Sequence, residues 1–77
     1  MSERLPYSMI VEWSEDDQAY LVTLPEWEGH VFNPVTHGDT YEAAIANGHE
    51  ALALLVASAR EHGTVLPTPR VYAASAR

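Results

Sequence analysis

The residues equipped for chemistry are carboxylates, imidazoles and a few hydroxyls, and their spacing decides what they can do. Glu12, Glu15, Asp16 and Asp17 crowd into six positions. Two-cation nuclease chemistry needs several acids converging on one point. Three of these four fall in a polar run whose side chains point to solvent, so the cluster reads as a solvated acidic turn. A glycosidase-type carboxylate pair needs a cleft between its members, and no pattern here suggests one. The imidazoles are His30, His37, His49 and His62. None is paired at i, i+4 or set in an HExxH pattern. His30 and His37 can still meet His49 across the fold, but the spacing favours isolated turn and surface histidines. Ser2, Ser8, Ser14, Ser58 and Ser75 lie in no GxSxG context, and the four glycines are too scattered for a phosphate loop. The expectation is therefore no catalytic residue, no metal ligand and no cofactor.

Charge narrows the partners. Eleven acidic residues face four arginines and no lysine, a formal net charge of −7. Phosphate binding consumes cations, so direct nucleic-acid binding is not expected. The acidity reads first as solubility and second as steering toward a basic partner. No cysteine is present, which rules out disulfides and fits a reducing compartment. The start, MSERLPYS, has no apolar core and is not a signal peptide. The longest apolar run, Ala51 to Ala57, is far too short to span a bilayer. A cytoplasmic protein with no membrane contact is expected.

The elements that must position these groups follow from periodicity. Tyr7, Met9, Val11 and Trp13 alternate with Ser8, Ile10 and Glu12, as in a strand over about residues 7–14. Ser14-Glu15-Asp16-Asp17-Gln18 is a polar turn. Residues 19–24, AYLVTL, resume as a second strand, completing a hairpin, and Pro25 stops it. A third strand over about 30–37 is interrupted at Pro34, which suits an edge or a bulge. Asp39 or Thr40 caps a helix over about 41–62, with Asp39 and Glu42 spaced as a capping box. That run holds seven alanines and no proline, and Gly63 closes it. Ala44, Ile45, Gly48, Leu52, Leu55, Val56 and Ala59 share one helical face. Gly48 costs about 1 kcal/mol relative to alanine in mid-helix, which close approach to the sheet would justify. Val71-Tyr72-Ala73 suggests a last strand over about 70–74, reached by a right-handed crossover.

The fold class is thus α+β, β-β-β-α-β: one domain over residues 1–77, with a mainly antiparallel sheet of three to four strands and one long helix on one face. At 77 residues the core is small, and without disulfides a second copy is the simplest added support. Both strand faces carry apolar residues, yet one helix covers only one of them. The other face calls for a partner.

Trp27 lies in Pro25-Glu26-Trp27-Glu28-Gly29, as either a lid on the core or a binding anchor. From charge and expected exposure, partner contacts are assigned to Glu15, Asp16 and Asp17 in the hairpin turn and to Glu26, Trp27 and Glu28 in this loop.

The ordered set of segments resembles the HicB-type antitoxins. The matching features are Glu12-Trp13-Ser14 ending a strand, an acidic turn, Tyr20-Leu21-Val22, Pro25 and Gly29. They continue with Gly38-Asp39-Thr40 at the helix start, Asn47 with Glu50-Ala51-Leu52, and Leu66-Pro67, covering about residues 7–69. The resemblance implies a partial RNase H-like fold without its catalytic acids, and a homo-oligomer, dimer or tetramer. It also implies a basic HicA-type toxin as partner, an mRNA-cleaving ribonuclease neutralised by covering its active surface. The alternative is an orphan HicB-like oligomeric domain that binds another protein or only itself. The stretch Val31 to Val35 is longer than the usual family connection. After Pro69 too few residues follow for the DNA-binding domain that many members carry, so autonomous DNA recognition is not expected.

Overall fold

The computed structural model describes residues 5–72. It is an α+β arrangement in the order β-β-β-α, a three-stranded antiparallel sheet with one long helix. Strand β1 is Ile10–Ser14 and strand β2 is Ala19–Thr23. They pair from Ile10↔Thr23 to Ser14↔Ala19, which confirms the hairpin. Between them Gln18 adopts a positive φ of 53°, and its side chain donates to the Glu15 carbonyl at 2.8 Å.

β1 starts later than the alternation predicts. The register carried back from Ile10↔Thr23 would set Ser8 opposite Pro25, and proline has no N–H to give the ladder. The Ser8 amide turns instead to the Glu26 carboxylate, 3.1 Å from each oxygen.

The third strand, β3, is only Thr36–Gly38, which corrects the expected span of 30–37. It pairs with β2 as Val22↔Thr36, Leu21↔His37 and Tyr20↔Gly38. The residues before it form a 3₁₀ turn at Pro25–Trp27, a bridge between Glu28 and Val31, and a cis peptide bond at Asn33-Pro34. Pro34 cannot donate, and the Asn33 side chain occupies the place beside Leu24 that a longer β3 would have filled.

Helix α1 is Tyr41–Glu61, close to the expected span. Its cap is Thr40, whose hydroxyl accepts from the Ala43 amide at 3.0 Å. With Thr40 at that position, Asp39 and Glu42 do not form the expected capping box; Glu42 sits in the first turn, where a carboxylate suits the helix dipole. At the other end Gly63, with φ of 69°, lets Thr64 donate to Ala59 at 2.8 Å and Gly63 to Arg60 at 3.3 Å. These two bonds satisfy the Ala59 and Arg60 carbonyls of the last turn.

The helix lies across β2 and β3 and touches β1 least. Two glycines allow it to sit that close. A Cβ on Gly48 would come within 2.7 Å of Met9 Sδ and 2.9 Å of Val22 Cγ1. A Cβ on Gly38 would run into the backbone of Ala43 and Ala44. The core beneath is Val22, Leu24, Trp27, Ala44, Leu52 and Val56. Ile45, expected on the buried helical face, is 47% exposed, one turn along from the exposed Tyr41.

No fourth strand forms at Arg70, Val71 and Tyr72; the rest of that expected strand, residues 73 and 74, lies outside the described residues. The Arg70 N–H is instead held by Glu26 Oε2 at 2.9 Å.

Candidate functional site

The six residues assigned to partner contact divide between the two ends of β2. Glu15, Asp16 and Asp17 occupy the turn before it, and Glu26, Trp27 and Glu28 follow its other end. Five strand residues separate the groups by roughly 17 Å, so they do not form a single site.

The turn group is exposed throughout, and local structure engages two of its members. Glu15 Oε1 accepts the Trp13 indole N–H at 2.9 Å. Asp17 Oδ2 accepts from the Ser14 hydroxyl at 2.8 Å, and the Asp17 amide donates back to Ser14 Oγ at 3.2 Å. These bonds order the turn while leaving its charges in water.

In the second group, Trp27 is 4% exposed and is therefore the lid, not an exposed anchor. Its ring meets Tyr7 edge-on at 5.5 Å between centroids and His30 at 6.0 Å. Its Nε1 is buried without a hydrogen-bond partner. Glu26 is half-buried and acts as a clasp, accepting from Ser8 N–H, Ser8 Oγ–H and Arg70 N–H. Burial acts to raise its pKa, but these hydrogen bonds to the charged form outweigh burial and hold it below the ordinary glutamate value. Glu28 is exposed and accepts from Asn33 Nδ2 at 3.1 Å.

Three residues not assigned to partner contact from the sequence, Tyr20, Tyr41 and Ile45, join Trp13 at the surface. Trp13 and Tyr20 are cross-strand partners, with centroids 5.1 Å apart at 68°. Tyr20 stacks on Tyr41 of the first helical turn at 4.3 Å and 27°. Ile45, one turn further along α1, is also exposed. The result is an aromatic row running from an edge strand to the helix start, with Trp13 47% and Tyr41 55% exposed. The Trp13↔Tyr20 register was available from the hairpin turn, but nothing local announced that Tyr41 would reach Tyr20. Asn33, also unassigned from the sequence, acts structurally instead, at the backbone of Leu24.

The face of the sheet away from the helix carries Ile10, Glu12, Leu21, Thr23 and His37. No helix covers it among the described residues. Ile10 is 41% exposed and Leu21 half-buried, so its apolar content is smaller than alternation alone suggests.

His30, His37, His49 and His62 are all exposed. His62 Nδ1 lies 2.9 Å from the Ser58 carbonyl. Among the described residues no three His, Asp or Glu side chains are grouped so as to hold a metal ion. No helix of these residues is long and apolar enough to cross a membrane. Comparison with protein-family models, curated proteins and solved structures finds no match to this chain.

Proposed function

We propose that the chain is a protein-binding module that neutralises a basic partner by covering its surface, as a HicB-type antitoxin does to a HicA-type ribonuclease. The observation that carries this reading is an asymmetry. The helix covers one face of the sheet, the opposite face bears the exposed Ile10 and the half-buried Leu21, and the whole chain carries a formal charge of −7. Acidic charge accelerates encounter with a basic surface, while apolar contacts at the docked face supply affinity. The resemblance of the ordered segments over about 7–69 adds the partner class, an mRNA-cleaving toxin, and a partial RNase H-like scaffold in the cytoplasm that works by occlusion without catalysis. Within this reading the protein is a dimer or tetramer.

Coexpression tests the reading. The full chain is produced together with the product of the adjacent reading frame, and growth and copurification are followed. Rescue of growth together with a stable complex supports occlusion; unrelieved toxicity with no complex overturns it.

The sheet face without a helix also favours a second reading, an orphan module that assembles only with itself. Light scattering at micromolar concentration, with and without Ile10→Asp, measures that contribution. A dimer or larger species that Ile10→Asp dissociates supports self-assembly through this face. A strict monomer in the unmodified chain removes it.

A further inference from the structure

The aromatic row has a property that general stickiness does not explain. We infer that Trp13, Tyr20 and Tyr41 form a receptor for an arginine side chain, presented by an extended segment of the basic partner lying along the β1 edge. This rests on the protein-binding reading above and names the chemistry of the contact.

The first support is geometric. Trp13 is held edge-on to Tyr20, Tyr20 is stacked on Tyr41, and the indole N–H is tied to Glu15 Oε1 at 2.9 Å. The indole edge is therefore occupied and its orientation set, while the ring remains 47% exposed. Exposed aromatic faces carry the negative end of the ring quadrupole and attract cations within about 6 Å of the centroid.

The second support is charge. Glu12, Glu15, Asp16 and Asp17 stand on β1 and its turn, and Asp39 and Glu42 stand beside Tyr41 in the chain. From residue 5 to residue 59 the sequence has no arginine or lysine. The long acidic stretch that builds the row thus supplies no cation to it, and a cation from outside meets complementary charge on both flanks. Arginine fits better than lysine because its planar guanidinium stacks on a ring and at the same time forks to a carboxylate such as Glu15.

The third support is position. In the strand order β1-β2-β3, β1 has one neighbour, so its outer edge is unpaired among the described residues. An extended segment pairing there would send alternate side chains to the helix side, the side on which Trp13 stands.

The test uses acetylated, fluorescently labelled seven-residue peptides that alternate valine with arginine, lysine or citrulline, titrated by anisotropy against the full chain. The arginine peptide is expected to bind, the lysine peptide several-fold more weakly, and the neutral citrulline peptide not at all. Trp13→Ala is expected to weaken the arginine peptide about tenfold. Tyr41→Leu should weaken it in the same direction, with an unchanged circular dichroism spectrum showing that the fold persists. Equal binding of arginine and citrulline peptides, or undiminished arginine binding in both variants, overturns the inference. Loss of peptide binding with an intact partner complex counts against this contact alone. Peptide binding without any toxin complex counts against the antitoxin reading alone.

Discussion

The side-chain amide of Asn33 sits against the backbone of Leu24 as a neighbouring strand would. Its Oδ1 accepts the Leu24 N–H at 3.0 Å and its Nδ2 donates to the Leu24 carbonyl at 3.2 Å. Leu24 is fully buried, so neither backbone group can turn to water.

Asn33→Ala is therefore expected to cost about 2–3 kcal/mol, the penalty of leaving a buried donor and acceptor unmade. Chemical denaturation reads this as a lower midpoint at constant slope. Asn33→Asp keeps the acceptor but places a second carboxylate near Glu28 and against the Leu24 carbonyl. The protonated acid can donate to that carbonyl, so the folded-state pKa of the new Asp lies above its unfolded value. The destabilisation should be greatest at neutral pH and should ease as pH falls through the carboxylate range. Equal stability of Asn33→Ala and the unmodified chain would contradict this account.

Gly48 and Gly38 should respond differently to alanine. At Gly48 the obstacles are two side chains, Met9 and Val22. The gain in helix propensity, about 1 kcal/mol, partly offsets overpacking that typically costs about 1–3 kcal/mol. Gly48→Ala should thus be mildly destabilising, and Val22→Ala in the same chain should recover part of the loss in a double-mutant cycle. At Gly38 the obstacle is the backbone of Ala43 and Ala44, which cannot rotate away. Gly38→Ala should cost about 3 kcal/mol or more, and no side-chain truncation should rescue it. Thermal melts of Gly48→Ala, Val22→Ala, their double mutant and Gly38→Ala check the ranking.

These particulars show where local pattern suffices and where it fails. The hairpin and α1 were legible because each is dictated by near neighbours: alternation about a polar turn, and an alanine-rich run between Thr40 and Gly63. The close approach at Gly48 could be anticipated, since a helix-interior glycine needs a packing reason. The extent of β3 could not, because it depends on a side chain, Asn33, taking a strand's place nine residues from Leu24. The start of β1 was hidden for a related reason: it requires knowing that Pro25 would stand opposite Ser8. At the surface, Glu26 and Trp27 look exposed in sequence because they flank a proline and a glycine. Three long-range hydrogen-bond donors and a small core draw both inward. The aromatic row joins residues 13, 20 and 41, and only the first two are linked by local register.

The Glu26 clasp has a pH signature. Hydrogen bonds from Ser8 and Arg70 outweigh its burial and lower its pKa in the folded state. A carboxylate lowered on folding contributes stability that is present above its unfolded pKa and lost as pH falls through the folded one. Glu26→Gln should therefore be less stable than the unmodified chain near neutrality, by about 1 kcal/mol for a partly exposed charged hydrogen-bond acceptor. The two should converge in acid below the ordinary glutamate range. Hydrogen exchange adds a local reading: the amides of Ser8 and Arg70 should lose protection in Glu26→Gln, while the paired amides of β2 should not. A constant stability difference down to strong acid would argue against the clasp.

Trp27 and Trp13, the only tryptophans in the chain, offer the last check because their environments are opposite. Trp27 is buried against Tyr7 with its Nε1 unpartnered, whereas Trp13 is nearly half exposed with its Nε1 bonded to Glu15. Trp27→Ala would remove a large part of a small core, at about 3–5 kcal/mol, and risks unfolding the chain. Trp27→Phe is the sharper substitution. It preserves the edge contact with Tyr7 and removes an N–H whose burial without a partner costs about 1–3 kcal/mol. That gain offsets much of the volume lost, so the variant should stay within about 1–2 kcal/mol of the unmodified chain. Its emission then reports Trp13 alone and should be red-shifted and readily quenched by acrylamide. Trp13→Phe should leave a blue-shifted, protected signal from Trp27. If the two variants quench alike, Trp27 is not the lid, and its loop regains the exposure that a binding anchor requires.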